Sequence, residues 1–129
     1  MKIMVVGSGG REHAIIKKIK ENPQVTELYA LPGNGGIAKD ATCVDIAAKD
    51  VEGVVAFAKE KGIDFAVVAP DDPLVLGMVD ALNAIGIPCF GPDKKVTQLC
   101  VLHDQGNLFQ LCICCSNYRK IQHHSKQKA

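Results

Sequence analysis

Three short stretches hold the residues best suited to do chemistry, and each reads as a turn. Gly7-Ser8-Gly9-Gly10-Arg11-Glu12-His13 combines flexible backbone with a cation, an acid and an imidazole. Pro32-Gly33-Asn34-Gly35-Gly36 places an amide among glycines, and Pro70-Asp71-Asp72-Pro73 sets two adjacent carboxylates between prolines. A helix-like pattern follows the first stretch, so its free N–H groups stand at the positive end of a helix dipole, a place that suits phosphate or another anion. Arg11 adds a planar, fixed cation there. Asn34 and the neighbouring glycine amides offer neutral hydrogen bonds, and the glycines permit close approach of backbone to a ligand. Asp71 or Asp72 can accept from hydroxyls or an amine, although an acid beside a helix start also serves as a cap. His13 has no paired nucleophile nearby in sequence, so it reads as a packed or solvent-facing helix residue, and no catalytic residue is assigned. The set suits a sugar phosphate better than a hydrophobic ligand.

The first stretch is only half of a dinucleotide fingerprint. Gly7-x-Gly9 fits G-x-G-x-x-G, but Glu12 occupies the third position, where close helix–strand packing wants Gly or Ala. The acid expected about 20 residues further on is also missing, since the second strand runs out as Tyr29-Ala30-Leu31-Pro32. NAD and FAD are therefore disfavoured. A tight turn alone would not call for Arg11, Glu12 and His13 together at a helix start.

The elements that must position these turns follow from hydrophobic spacing. Residues 2–6 read as a buried parallel strand, short, β-branched and bounded by Gly7. Residues 11–21 read as a helix with Ile15, Ile16 and Ile19 on one side and Lys17, Lys18 and Lys20 largely on the other, closed by Pro23. Val25 to Leu31 is a second strand and Ala41 to Val44 a short third. Asp50 caps a helix whose apolar face is Val51, Val54, Val55 and Ala58, with Gly62 at its end. Phe65 to Ala69 is a central strand. Pro73 opens the next helix with Asp72 as its cap, and Leu74, Val75, Met78, Val79 and Leu82 carry it to Gly86. Ile87 to Phe90 is a strand that Pro88 makes short or peripheral. Gly91-Pro92-Asp93 starts a last helix, to about Leu99. The order βαββαβαβα predicts a doubly wound, mostly parallel α/β sheet of the Rossmann-like kind with right-handed crossovers. Ligands of such sheets collect outside the carboxyl ends of the strands, and all three turns leave from those ends. They are predicted to meet at one crevice.

Composition bounds the function. The 129 residues suit one domain of ordinary size. A formal net charge of +1 argues against a general nucleic-acid or membrane binder. The apolar start is too short for a signal peptide and no run reaches transmembrane length, so a reducing, cytoplasmic setting is expected. Composition breaks near residue 100. Cys100, Cys112, Cys114 and Cys115, together with His103, His123 and His124, lie beyond it, while Asp104 is the only acid there against four Lys or Arg. Cys-x-Cys-Cys is not the usual C-x-x-C knuckle and lacks a second pair, so no zinc site is expected.

Val5-Val6-Gly7-Ser8-Gly9-Gly10-Arg11-Glu12-His13-Ala14, Pro32-Gly33-Asn34-Gly35-Gly36, Pro70-Asp71-Asp72-Pro73-Leu74-Val75 and Gly91-Pro92-Asp93, in that order, resemble the N-terminal domain of the phosphoribosylamine–glycine ligase (glycinamide ribonucleotide synthetase) family. The resemblance covers residues 1–99 and implies a pre-ATP-grasp domain of a carbon–nitrogen ligase of de novo purine synthesis. In that family, ATP and magnesium activate glycine as an acyl phosphate, and the amine of phosphoribosylamine attacks it to give glycinamide ribonucleotide, ADP and phosphate. The N-terminal domain helps form the cleft for the phosphoribosyl substrate. The resemblance thus makes phosphoribosylamine or glycinamide ribonucleotide the expected partner. It makes Gly9, Gly10 and Arg11 phosphate-side candidates and Asn34, Asp71 and Asp72 ribose- or amine-side candidates. Glu12, His13, Gly33, Gly35 and Pro73 complete the substrate-binding set. The ATP-grasp domain does not follow in these 129 residues, so the chain by itself is expected to hold neither ATP nor magnesium and to be inactive. Residues 100–129 resemble nothing in the family, which points to a reading-frame change or an aberrant gene end, with a loosely packed or disordered tail. The rival reading is a free-standing nucleotide or sugar-phosphate binding module; a third is a non-functional truncated product.

Overall fold

The computed structural model describes residues 1–97. The expected domain boundary at residue 99 and the Cys/His-rich stretch 100–129 lie outside the described residues. Strands β1 (Lys2–Gly7), β2 (Glu27–Pro32), β3 (Thr42–Cys43), β4 (Phe65–Val68) and β5 (Cys89–Phe90) form one sheet in the order β3-β2-β1-β4-β5. Every pair is parallel. Helices α1 (Gly10–Lys20), α2 (Val51–Lys61), α3 (Asp71–Val75) and α4 (Met78–Ala84), with a 3-10 turn at Ile37–Lys39, connect them.

Alternation along β1 explains why both faces are covered. Successive side chains of a strand point to opposite faces. Met4 and Val6 enter a core with Val54, Phe57, Ala58, Leu74, Met78, Val79 and Leu82, so α2, α3 and α4 share that face. Val5 enters a second core with Ile16, Ala30, Ile37 and Val67, so α1 and the 3-10 turn cover the other. Each such buried Val, Leu, Ile, Met or Phe side chain contributes about 1.5–3 kcal/mol, well above the local preference of an 11-residue helix. Sheet packing therefore holds these short helices, and the doubly wound α/β fold is confirmed. The strand order reverses between β1 and β4, which is where such sheets bind ligands.

Local chemistry sets the clearest boundaries. The Asp50 carboxylate accepts from the Gly53 N–H at 3.0 Å and caps α2. Gly62 ends that helix at φ 65°, a conformation that lacks a steric penalty only for glycine. Phe57, absent from the expected face of α2, is buried and meets Tyr29 edge-on, with ring centroids 5.3 Å apart.

Several expected elements shift. α1 begins at Gly10 and ends at Lys20 instead of spanning 11–21. β2 starts at Glu27 because Val25 closes a turn onto the Asn22 carbonyl. β3 keeps only the two residues that pair with Tyr29 and Ala30. β4 stops at Val68, one residue short of Ala69. The helix expected from Pro73 to Gly86 is two helices. Pro70, not Asp72, stands at the N-cap of α3, and Gly77 at φ 85° separates α3 from α4. Pro73 falls within the first turn, where a backbone N–H has no intrahelical acceptor to lose. β5 is two residues long because the Ile87 N–H bonds back to Leu82 and Pro88 has no donor. It lies at the sheet edge, as Pro88 requires. Asp93 caps the helical turn at residues 94–97 through the Val96 N–H.

Candidate functional site

The carboxyl ends of β2, β1 and β4 lie side by side, because these strands are neighbours in the sheet. The turns that leave them are loop 1 (residues 7–13), loop 2 (residues 32–40) and loop 3 (residues 70–73). Direct contacts join them. The Gly33 N–H donates to the Gly7 carbonyl at 3.2 Å, and Asn34 Nδ2 donates to the Ser8 carbonyl at 2.6 Å. A Cβ on Gly7 would stand 3.0 Å from Pro70 Cγ, so loop 3 abuts loop 1 at that point. The predicted convergence of the three turns is present.

Loop 1 is built around Glu12. Its carboxylate accepts from the Gly9 N–H at 2.8 Å and is 4 % exposed. With Gly9 at the N-cap and Glu12 three residues on, this is the acidic half of a capping box. Gly7 turns at φ 133°, and a Cβ there would meet Glu12 Cγ at 2.5 Å. A Cβ on Gly9 would meet Glu12 Oε2 at 2.6 Å. Glu12 thus packs against Gly7 and Gly9, at the position where a dinucleotide fold has a small residue for close helix–strand packing. Gly10 and Arg11, in the first turn of α1, are exposed, and first-turn N–H groups have no intrahelical acceptor. Arg11 is half exposed and lies 3.7 Å from Glu12 Oε1 through Nε.

Loop 2 is pinned at both ends. Asn34 Oδ1 accepts from the Ile37 N–H at 2.9 Å and starts the 3-10 turn. Ile37 is fully buried and anchors that turn in the second core. After the turn, His13 Nε2 lies 2.8 Å from Asp40 Oδ2, and Lys20 reaches Asp40 Oδ1 at 3.3 Å. The hydrogen bond to His13, then that to Lys20, holds the Asp40 carboxyl below its ordinary value. Gly33 at φ 72° leans so closely on Cys43 that a Cβ would meet Sγ at 2.5 Å. The Leu31–Pro32 peptide that enters the loop is cis.

Loop 3 opens α3 with Asp71 and Asp72, both exposed, while Pro73 is buried. Asp72 pairs with Lys49 at 3.2 Å. Side-chain polar groups of Glu12, His13, Asn34 and Asp72 are therefore already engaged within the protein. Arg11 is paired with Glu12, the Gly9 and Gly33 N–H groups are held by Glu12 and Gly7, and Gly10, Gly35 and Asp71 are exposed. Sequence reading did not single out Asp40 or Lys49, because no local pattern reports a partner on a distant loop. The Gly9-x-x-Glu12 spacing was a usable signal for the cap.

A cavity of about 520 Å³ lies beside the first half of β2, lined in part by Lys20, Thr26, Tyr29, Lys39 and Thr42. It reaches the far end of loop 2 at Lys39 and Asp40 but none of the residues of loops 1 and 3; the strand-order reversal and the interloop bonds at Gly7, Ser8, Gly33 and Asn34 mark the candidate site instead. Among the described residues no three His, Cys, Asp or Glu side chains gather as a metal-ligand set. No helix there is long and apolar enough to cross a membrane.

Residues 1–100 match the family model described as phosphoribosylglycinamide synthetase, N domain. The chain is 54 % identical over 99 residues to phosphoribosylamine–glycine ligase of Agrobacterium fabrum, a match covering 77 % of this chain and 23 % of that protein. It is 46 % identical over 103 residues to the trifunctional purine biosynthetic protein adenosine-3 of Drosophila melanogaster, covering 76 % of this chain and 8 % of that one. A crystal structure of phosphoribosylamine–glycine ligase from Thermotoga maritima superposes with a TM-score of 0.53 at 28 % identity, covering 74 % of this chain and 20 % of that chain. The chain thus spans about a quarter, or less, of the length of these relatives.

Proposed function

Since the chain belongs to the phosphoribosylglycinamide synthetase N-domain family, we propose that its three joined loops hold the phosphoribosyl substrate of a phosphoribosylamine–glycine ligase. The observation that carries this reading is the junction itself. Loop 2 is bonded to loop 1 at Gly7 and Ser8, beside the start of α1 where Arg11 stands. The phosphate sits at the Gly9-Gly10-Arg11 turn against the Gly10 and Arg11 amides, since the Gly9 N–H is already held by Glu12, and the helix dipole and the Arg11 guanidinium both favour negative charge there. The ribose lies toward the Gly33–Gly35 backbone, and Asp71 and Asp72 face its hydroxyls or amine. Glu12, His13 and Pro73 shape this cradle from within.

Binding and orientation are this chain's part in the reaction. In the complete ATP-grasp enzyme, ATP and magnesium would supply activation of the glycine carboxylate. No step of that activation is assigned to this chain's residues. The 129-residue chain alone is expected to show no ligase turnover, and its setting is expected to be cytoplasmic.

Calorimetric titration with ribose 5-phosphate, ribose and NAD tests the reading. Arg11→Ala should weaken ribose 5-phosphate binding by about 1.5–3 kcal/mol, the worth of a charged hydrogen bond, and leave ribose binding unchanged. Equal losses for the two sugars would remove Arg11 from the phosphate role. Binding of NAD alone would favour a free-standing dinucleotide module instead.

A further inference from the structure

We infer that Asn34 and the His13–Asp40 pair are positioning groups, which lock loop 2 onto loop 1 before any ligand arrives. Both ends of the Asn34 amide are committed. The Ser8 carbonyl needs a donor and receives Nδ2 at 2.6 Å, while the Ile37 N–H needs an acceptor and finds Oδ1 at 2.9 Å. Those partners fix which end is which. Asn34 therefore acts on loop 1 through the Ser8 carbonyl, one residue before the Gly9 cap. On the far side of loop 2, the His13 imidazole is 2.8 Å from Asp40, and both side chains are largely sheltered from solvent. Gly36 lies between the two straps. A Cβ there would come within 3.2 Å of Asn34 Oδ1 and 3.4 Å of His13 Cε1. The backbone tie from Gly33 to Gly7 completes the clasp at 3.2 Å.

This assignment rests on the proposed phosphoribosyl site and refines it. Loop 2 is rich in glycine and would otherwise sample many conformations. With its ends tied, the amides on the rim are already in place, and ligand binding need not order them. The Asn34 side chain then contributes to affinity by setting the shape of the phosphate turn instead of touching the ribose.

Hydrogen exchange of the ligand-free 129-residue chain tests the clasp independently of any ligand. In Asn34→Ala, the Ile37 and Gly33 amides should both exchange faster, by about tenfold or more. In Asn34→Asp, the acceptor for Ile37 remains and the donor to Ser8 is lost, so Gly33 should speed up while Ile37 stays near the unsubstituted rate. Unchanged Ile37 and Gly33 rates in Asn34→Ala would overturn the assignment. The ligand arm uses inorganic phosphate and ribose 5-phosphate. Asn34→Ala should weaken both by the same factor; a loss confined to ribose 5-phosphate would make Asn34 a direct sugar contact and refute the positioning role. If the unsubstituted chain binds neither probe, the phosphoribosyl reading fails, and the exchange arm still decides the clasp.

Discussion

Gly7→Ala should be among the most damaging single changes in the described part of the chain, and its cost can be built from the geometry. Gly7 sits at φ 133°, so a non-glycine residue there carries backbone strain of about 1–3 kcal/mol. The new methyl would meet Glu12 Cγ at 2.5 Å, Glu12 Cδ at 3.0 Å and Pro70 Cγ at 3.0 Å. Glu12 cannot simply swing aside, because it is 4 % exposed and its carboxylate holds the Gly9 N–H at 2.8 Å. Overpacking of this kind adds about 1–3 kcal/mol. The sum is about 2–6 kcal/mol, a large share of the roughly 5–15 kcal/mol that stabilises a typical domain. Urea unfolding reads it directly: with a slope near 2 kcal/mol/M, the midpoint should fall by about 1–3 M. The Glu12→Ala background separates the two contributions. Alone it removes a cap and should cost about 0.5–2 kcal/mol. Combined with Gly7→Ala, it relieves the clash with Glu12 but neither the contact with Pro70 nor the φ strain, so the double variant should be less destabilised than the sum by up to about 1–3 kcal/mol. A midpoint shift below about 0.3 M for Gly7→Ala would show that the turn has room to spare, and strict additivity would show that Glu12 is not what the methyl meets.

Asp50→Ala removes the carboxylate that caps α2 at Gly53 and should cost about 0.5–2 kcal/mol, visible as a lower urea midpoint with an unchanged slope. Asp40 tests the clasp by acid. Its carboxyl is held low by His13 and Lys20, so its stabilisation is present above the unfolded value of 3.8 and is lost as pH falls through the lower folded value. Asp40→Asn should therefore flatten the loss of stability between about pH 5 and pH 2, and parallel profiles for the two proteins would contradict the pairing.

Some of this molecule is legible in one dimension because its causes are local. The β-branched runs of β1 and β4 announce buried parallel strands, since a strand covered on both faces has no polar side to alternate with. Asp50 and Gly62 mark the ends of α2 because capping involves neighbours within a turn. The order of elements dictates a doubly wound sheet, and the three unusual turns fall at the carboxyl ends of β1, β2 and β4 for that reason. Other features answer to contacts that sequence order does not encode. The break at Gly77 is invisible in the apolar spacing, because α3 and α4 bury Leu74, Met78, Val79 and Leu82 in the same core. The lengths of β3 and β5 depend on how far each edge strand finds a partner. Glu12 reads in sequence as a large charge where a dinucleotide turn wants Gly or Ala, and only the fold shows it buried and turned onto the Gly9 N–H. His13 meets Asp40 across 27 residues, and Asp72 meets Lys49 from another connection. Periodicity and turn chemistry act over a few residues and so determine the elements, whereas the pairing of loops requires the sheet to bring their ends together first.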